Sequence, residues 1–154
     1  MLAPARALAL GVPAALLAGA WGSQLVGHLV PCEMCHWQRW PHYGALVAAL
    51  LAFVTARTPA SRPLTLLAGM LILVSGGLGV FHAGVEYGWW KGPQHCTSIA
   101  LGGGDPLRAI LAAPLVRCDV PQWTLWGVSL AGWNALFSLA GGAAVIALCL
   151  KRAR

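Results

Sequence analysis

The sequence predicts an all-α membrane protein, a four-transmembrane-helix bundle with a short membrane-surface helix in its second outer loop. Three observations carry that expectation. Hydrophobic residues make up 58% of the 154 and charged residues only 9%, too apolar a mixture for a chain whose surface faces water. Four apolar runs, at roughly residues 7–30, 37–56, 63–87 and 124–150, each reach the ~20 helical residues needed to cross a hydrocarbon core about 30 Å thick. The basic residues are divided among the connecting segments, as in a polytopic protein, rather than gathered into one patch. Residues 1–154 are therefore expected to form a single polytopic membrane domain with one long outer loop, 88–122.

The net charge of +6 does not point to nucleic acid, because its distribution marks topology. With the N-terminus in the cytoplasm, Arg6, Arg57, Arg62, Lys151, Arg152 and Arg154 face inward, while Arg39, Lys91, Arg108 and Arg117 face outward. All four acids, Glu33, Glu86, Asp105 and Asp119, then fall on the outer side, leaving a purely basic inner surface beside the anionic lipid of the bilayer. Four crossings return the C-terminus to the cytoplasm as well. The same assignment gathers Cys32, Cys35, Cys96 and Cys118 outside, where disulfides persist, and leaves Cys149 near the inner face as a small buried hydrophobe.

The first run follows Arg6 and contains Ala18-Gly19-Ala20, so it also admits a reading as a cleaved signal peptide. Continued apolar character through Leu25, Val26, Leu29 and Val30 favours a span. Pro31, with its fixed φ and missing N–H, ends that span or opens the next helix, which is expected to begin near Cys32. The short segment from Arg57 to Pro63 connects antiparallel helices. Small residues on the third run (Gly69, Ser75, Gly76, Gly77, Gly79, Gly84) and the fourth (Gly127, Gly132, Gly141, Gly142) allow helix backbones to approach closely in a bilayer, with Asn134 as an interhelical hydrogen bond. Trp37, Trp40, Trp89, Trp90, Trp123 and Trp126 cluster at the outer ends as an interfacial belt, one or two of them open to bordering an aromatic ligand. In the outer loop, Gly102-Gly103-Gly104 precedes Asp105-Pro106, an N-cap and first-turn proline for a short helix carrying Leu107, Ile110 and Leu111, which lies on the membrane surface or, alternatively, packs on the bundle.

The chemistry lies with the thiols. A Cys-x-x-Cys pair at a helix start favours a reactive thiolate, because the helix dipole places about half a positive charge there. Arg39 follows Cys35 by four residues and shares its helix face one turn deeper. An arginine at that depth takes a partner, either a lipid phosphate reached by snorkelling or a functional anion. Exchange between Cys32–Cys35, fixed at the bilayer, and Cys96 and Cys118, on a loop, would carry electrons from a soluble dithiol to an acceptor dissolved in the membrane. No flavin or nicotinamide motif is present, so a lipid-soluble quinone is the simplest acceptor. His82 and Glu86, four residues apart near the outer end of the third run, are candidate cofactor-binding residues or proton relays; the alternative is a structural His–Glu pair.

These residues resemble the bacterial disulfide-bond formation protein B (DsbB) family of quinone-dependent thiol oxidoreductases. The resemblance covers nearly the whole chain and rests on Pro31-Cys32-Glu33-Met34-Cys35-His36-Trp37-Gln38-Arg39-Trp40-Pro41, on Gly84-Val85-Glu86-Tyr87-Gly88-Trp89-Trp90 before Cys96, and on Cys118-Asp119 followed by Trp126-Gly127-Val128-Ser129-Leu130-Ala131-Gly132-Trp133-Asn134. It implies a multi-pass protein of the bacterial inner membrane with periplasmic thiol pairs. It further implies that a Cys96–Cys118 disulfide is attacked by a periplasmic thioredoxin-like oxidase of the DsbA kind, with Cys96 forming the mixed disulfide. Cys118 would then exchange with Cys32, freeing Cys35 to interact as a thiolate with ubiquinone or menaquinone, while Arg39 stabilises that charge and helps hold the quinone. The family has branches with dedicated partners, which leaves a general or a dedicated partner open here.

Two rival functions use the same residues. Cys32-Glu33-Met34-Cys35-His36 is a c-type haem attachment sequence with His36 as proximal ligand. A metal-binding four-span module would join His28, His36, His42 and His95 to the outer cysteines. The first leaves Cys96 and Cys118 unexplained, and in the second Arg39 would repel the cation.

Overall fold

The computed structural model describes residues 2–93, 97–98 and 116–151. Four long helices dominate: α1 (Ala3–Leu25), α2 (Glu33–Val54), α3 (Ser61–Glu86) and α4 (Leu130–Leu150). Between α3 and α4 lie four two-residue strands, β1 (Thr97–Ser98), β2 (Val116–Arg117), β3 (Thr124–Leu125) and β4 (Val128–Ser129). The strands pair antiparallel as β1–β2 and β3–β4. Helix α3 is the centre of the bundle, packing along both α2 and α4, with α1 against α2 and α4.

Side-chain size is distributed in reverse of a water-soluble protein. The packed interior is built from small groups, Ala9, Ala45, Ala48, Ala49 and Ala68 around Ile72 and Val145. Large apolar side chains, among them Leu50, Val54, Val74, Leu136 and Phe137, stand on the outside. Burying small residues lets helices approach closely where no water drives them together, and the outward Leu, Val and Phe suit hydrocarbon. On a soluble protein so extensive an exposed apolar surface would drive aggregation. Among the described residues three helices, α1, α3 and α4, are long and apolar enough to cross a membrane, with mean hydropathies of 1.4, 2.2 and 1.8. Helix α2 is not among them because its first half carries Glu33, His36, Gln38, Arg39 and His42.

The helix ends correct the expected limits of the apolar runs. Helix α1 stops at Leu25 rather than near residue 30, because Gly27 and the left-handed His28 (φ 53°) turn the chain off the axis. The chain then runs through Pro31 to an extended Cys32 (ψ 172°), which caps α2 as the sequence anticipates. At the other end, residues 124–129 form a hairpin instead of the first turns of a helix. Trp126 (φ 52°) and Gly127 (φ 78°) both take the left-handed backbone that a two-residue type I′ turn demands, so α4 begins only at Leu130, with the Ser129 hydroxyl accepting from the Gly132 N–H at 3.1 Å. The Tyr87 hydroxyl clamps this hairpin to the end of α3, donating to the Gly127 carbonyl and accepting from the Ser129 N–H, both at 2.9 Å. The surface helix expected from Asp105 to Leu111 lies outside the described residues.

Helices α3 and α4 approach closely at Gly79, where a Cβ would lie 3.0 Å from the Ala131 carbonyl oxygen, the Ala135 nitrogen and the Asn134 amide. Two of those three neighbours are backbone and cannot rotate away. Replacing Gly79 with Leu is therefore expected to pry the two helices apart and lower stability by about 1–3 kcal/mol, the usual range for overpacking. Thermal unfolding in detergent micelles, compared with Gly77→Leu, whose Cβ meets nothing within 4 Å, provides the measurement.

Candidate active site

The Cys32 sulfur is built into the start of α2. It accepts the Cys35 N–H at 3.2 Å and so does the work that a Ser or Asp oxygen performs at an ordinary N-cap. The same turn brings Cys35 Sγ to 2.7 Å from Cys32 Sγ. Both are free cysteines; Cys32 is buried, and Cys35 is half-buried and borders a cavity. Cys118, by contrast, is engaged in a disulfide and is buried just beyond β2. It shares a small apolar cluster with Cys32, Met34, Val85 and Val116. Within that cluster Cys32 Sγ, Cys118 Sγ and a ring nitrogen of His82 all lie within 4.8 Å of one another. Cys96 lies outside the described residues, but β1 pairs Thr97 with Arg117, so the chain just after Cys96 runs beside the chain just before Cys118.

Arg39 is turned inward. Its guanidinium donates to Gln24 Oε1 at 2.9 Å and to the Ala20 carbonyl at 3.2 Å, and lies 5.4 Å above the Trp21 ring, all on α1. The residue is only 8% exposed, and every one of these partners is neutral. Among the described residues it has no carboxylate, so its charge stands uncompensated beside the thiol pair. Of the two partners expected for it, a snorkelled lipid phosphate is the one this inward orientation disfavours.

Cys32, Cys35, Arg39, His82, Glu86 and Trp133 all border one cavity of about 250 Å³. Two polar atoms on its wall are buried without a hydrogen-bond partner, Trp133 Nε1 and Glu86 Oε2. A buried donor left unpaired is costly, and an acceptor in the cavity would satisfy it. Trp133 was not among the tryptophans that the sequence singled out. Its position three residues after Leu130, facing inward from α4, has no local signature that separates it from the interfacial belt.

His82 and Glu86 do form the anticipated i, i+4 pair, with 3.7 Å between His82 Nε2 and Glu86 Oε1. His82 Nε2 also lies 3.6 Å from Cys32 Sγ, a contact across fifty residues that sequence spacing does not reveal. Behind His82 a polar seam crosses the bundle. Gln38 Nε2 meets His82 Nδ1 at 2.7 Å, Asn134 donates to Gln38 Oε1 at 2.8 Å, and His42 Nε2 meets both Asn134 Oδ1 at 3.0 Å and Ser75 Oγ at 2.8 Å. Ser138 closes the group by donating to Asn134 Oδ1 at 3.1 Å. The expected interhelical bond of Asn134 is thus present, as part of a larger network. The remaining members had one legible signal, since Gln38 and His42 on α2, and Asn134 and Ser138 on α4, recur at i, i+4 inside apolar helices.

At the rim of the cavity Arg117, which also lines it, forms an exposed bidentate pair with Asp119 at 2.9 and 2.6 Å. The Arg117 guanidinium holds the Asp119 carboxyl below its ordinary range; water screens the pair, so it contributes little to stability. The ligands required by the haem and metal alternatives do not converge. His28 and His36 are exposed, His42 belongs to the interior seam, and His95 is outside the described residues. Among the described residues the one group of three potential metal ligands is Cys32, His82 and Cys118, and the Cys118 sulfur is already committed to a disulfide.

A capped thiol pair against a second, disulfide-bonded cysteine in an apolar helix bundle is matched by the family model for "Disulfide bond formation protein DsbB" over residues 3–148. The chain belongs to the DsbB family. It is 32% identical over 167 residues to disulfide bond formation protein B of Polaromonas naphthalenivorans (strain CJ2), covering 99% of this chain and 95% of that one. It is similarly 32% identical to disulfide bond formation protein B of Acidovorax sp. (strain JS42), over 99% and 91% of the two chains. Disulfide bond formation protein B 1 of Pseudomonas putida is 30% identical, over 90% and 84%. No solved structure matches the chain. This DsbB-family chain is thus a membrane oxidoreductase of disulfide bond formation.

The polar seam yields a stability test. Asn134→Leu strands Gln38 Oε1 in the interior and removes one of the partners of His42 Nε2, which keeps Ser75 Oγ. Stability is expected to fall by about 1–3 kcal/mol, the cost of stranding buried polar groups, while an exposed control such as Leu136→Ala changes it far less. Unfolding by denaturant in mixed micelles reads the difference.

Proposed function

We propose that this protein is a dithiol:quinone oxidoreductase of the bacterial inner membrane. It reoxidises a periplasmic thioredoxin-like oxidase of the DsbA kind and passes the electron pair to ubiquinone or menaquinone. The observation that carries this reading is the placement of Cys32 between two worlds: its sulfur lies within 4.8 Å of the disulfide-bonded Cys118, while its neighbour Cys35 borders the cavity that holds Arg39. In the proposed sequence a thiolate of the partner attacks Cys96, breaking the Cys96–Cys118 bond and releasing Cys118 as a thiolate. Cys118 attacks Cys32 of the oxidised Cys32–Cys35 pair, and Cys35 leaves as a thiolate into the cavity. Each exchange forms one S–S bond and breaks one, so the oxidising equivalent moves outward without loss.

The residues around the cavity fit a quinone head group on their own chemistry. Trp133 Nε1–H is a buried donor in want of an acceptor, and Arg39 is a cation with only neutral partners, suited both to a carbonyl oxygen and to the Cys35 thiolate. Cys35, Arg39 and Trp133 would hold the ring, with His82 and Glu86 on the same wall. When bound, the quinone supplies an acceptor for two electrons and two protons. The protein's part is to keep water out and to stabilise the negative charge on Cys35 beside a fixed guanidinium.

Four crossings, both termini cytoplasmic and both thiol pairs periplasmic are the topology proposed with this function. Helix α2 has 22 residues, about 33 Å at 1.5 Å per residue, and turns Val47, Leu50, Leu51 and Val54 outward, which supports its crossing despite a polar first half. The bond from Arg6 Nη1 to Ser61 Oγ (3.2 Å) ties the start of α1 to the start of α3, in keeping with a basic end opposite the cysteines.

The test uses purified protein in detergent, a reduced thioredoxin-like oxidase and a soluble quinone analogue, followed by the loss of quinone absorbance. Cys35→Ser is expected to abolish quinone reduction, and Cys96→Ser to block turnover with the protein partner. Arg39→Met is expected to lower kcat/KM for quinone about 100-fold, the usual loss when one preorganised charge-stabilising group is removed. Unaltered oxidation of the partner by either cysteine variant would contradict the assignment.

A further inference from the structure

The hydrogen-bond seam behind His82 settles which of its two ring nitrogens carries the proton. Gln38 Nε2 lies 3.2 Å from the Met34 carbonyl oxygen, and a carbonyl only accepts, so the amide nitrogen and not the oxygen faces that side. Asn134 is oriented in the same way, with its Nδ2 3.3 Å from the Ser75 carbonyl oxygen and 2.8 Å from Gln38 Oε1. Both amides therefore point in one direction, from Asn134 through Gln38 to His82. At the end of the chain Gln38 Nε2–H, 2.7 Å away, requires His82 Nδ1 to accept. A neutral ring must then carry its proton on Nε2, and a doubly protonated ring would set two donors against each other.

That Nε2–H is aimed at the reacting sulfurs. It lies 3.6 Å from Cys32 Sγ, and the ring also meets the backbone of Cys118. The other groups facing it are Glu86 Oε1, 3.7 Å away on its own helix, and the Cys35 thiol beside Cys32 on α2. Resting on the exchange between Cys118 and Cys32 proposed above, we propose that His82 is a further catalytic residue: a neutral hydrogen-bond donor that stabilises Cys32 as a leaving thiolate. The Gln38–Asn134 pair positions it by imposing the tautomer.

The step concerned is the resolution of the bond between Cys32 and Cys118. Once the partner's second thiolate has attacked the partner's own sulfur in the mixed disulfide, forming the partner's disulfide and releasing Cys96, the Cys96 thiolate attacks Cys118, the Cys96–Cys118 bond forms, the Cys118–Cys32 bond breaks, and the electron pair leaves on Cys32 Sγ. His82 donates a hydrogen bond to that developing charge and keeps its proton, since losing it would leave an anionic ring. This role differs from a proton relay, which the fixed amide on Nδ1 does not permit. It also differs from a contact to quinone.

Two measurements test it on the full-length protein in micelles. Nitrogen NMR of histidine-labelled wild-type protein near pH 7 is expected to show His82 neutral with its proton on Nε2; a proton on Nδ1, or an imidazolium, overturns the proposal. Gln38→Glu, whose side chain only accepts, is expected to move the proton to Nδ1. Rapid acid quench with thiol blocking and peptide mapping then follows the species joined through Cys32 and Cys118. Its resolution is expected to slow about tenfold to a hundredfold in His82→Phe, the range for losing one hydrogen bond to a charged group, and comparably in Gln38→Glu, where the ring is retained but turned the wrong way electrically. If wild-type protein forms that species and both variants resolve it at the wild-type rate, the role of His82 fails and the exchange stands. If wild-type protein neither forms it nor reduces quinone, the exchange itself fails and takes this proposal with it.

Discussion

Polar side chains buried among apolar helices must satisfy one another, because neither lipid nor a dry interior offers them a partner. In this bundle that constraint selects the arrangement of three helices at once. Gln38 and His42 on α2, Ser75 and His82 on α3, and Asn134 and Ser138 on α4 interlock into one seam. Alanine and glycine interfaces alone would tolerate sliding or rotation of one helix on another, since small side chains offer few distinguishing contacts. The seam admits one register. It is through this register that the start of α2, with its two sulfurs, is held against the end of α3.

Site chemistry follows from the same geometry. A thiol pair at a helix N-terminus gains from the local dipole wherever it occurs, but here the surroundings of the two sulfurs differ. Cys32 faces His82 and the buried, disulfide-bonded Cys118; Cys35 faces the cavity and an arginine lacking a counter-charge. Both sulfurs border the cavity, and Cys32 alone of the two also lies within 4.8 Å of the disulfide-bonded Cys118 sulfur and a ring nitrogen of His82. The difference between them arises because Cys32 is the extended cap outside the helix, while Cys35 belongs to its first turn.

Much of this was legible in the sequence, and the parts that were not share a cause. The helices, the capping position near Cys32, the nearness of Arg39 to Cys35 and the His82–Glu86 pair are all local, set by runs of apolar residues or by i, i+4 spacing. The partners of Arg39 on α1, the contact between His82 and Cys32, and the inward face of Trp133 are tertiary, and no periodicity encodes them. The hairpin before α4 escaped for a different reason. Its turn is Trp126-Gly127 rather than the Asn-Gly or Asp-Gly that usually announces left-handed backbone, and its two-residue strands Thr124-Leu125 and Val128-Ser129 are too short to stand apart from the apolar run that follows. Helix α1 ends short of its apolar run because Gly27 and His28 turn the chain while Leu29 and Val30 beyond them are still apolar.

In the proposed exchange Cys32 Sγ is a reacting atom, and it is also the cap of its own helix. Sulfur accepts a hydrogen bond best when it bears negative charge, and poorly once its electrons are shared in a bond to a second sulfur. In that exchange the cap that Cys32 gives to the first turn of α2 would accordingly weaken each time Cys32 is joined to another cysteine. Under the same proposal, oxidation state and backbone order at the start of α2 are thereby linked through one atom, Cys32 Sγ.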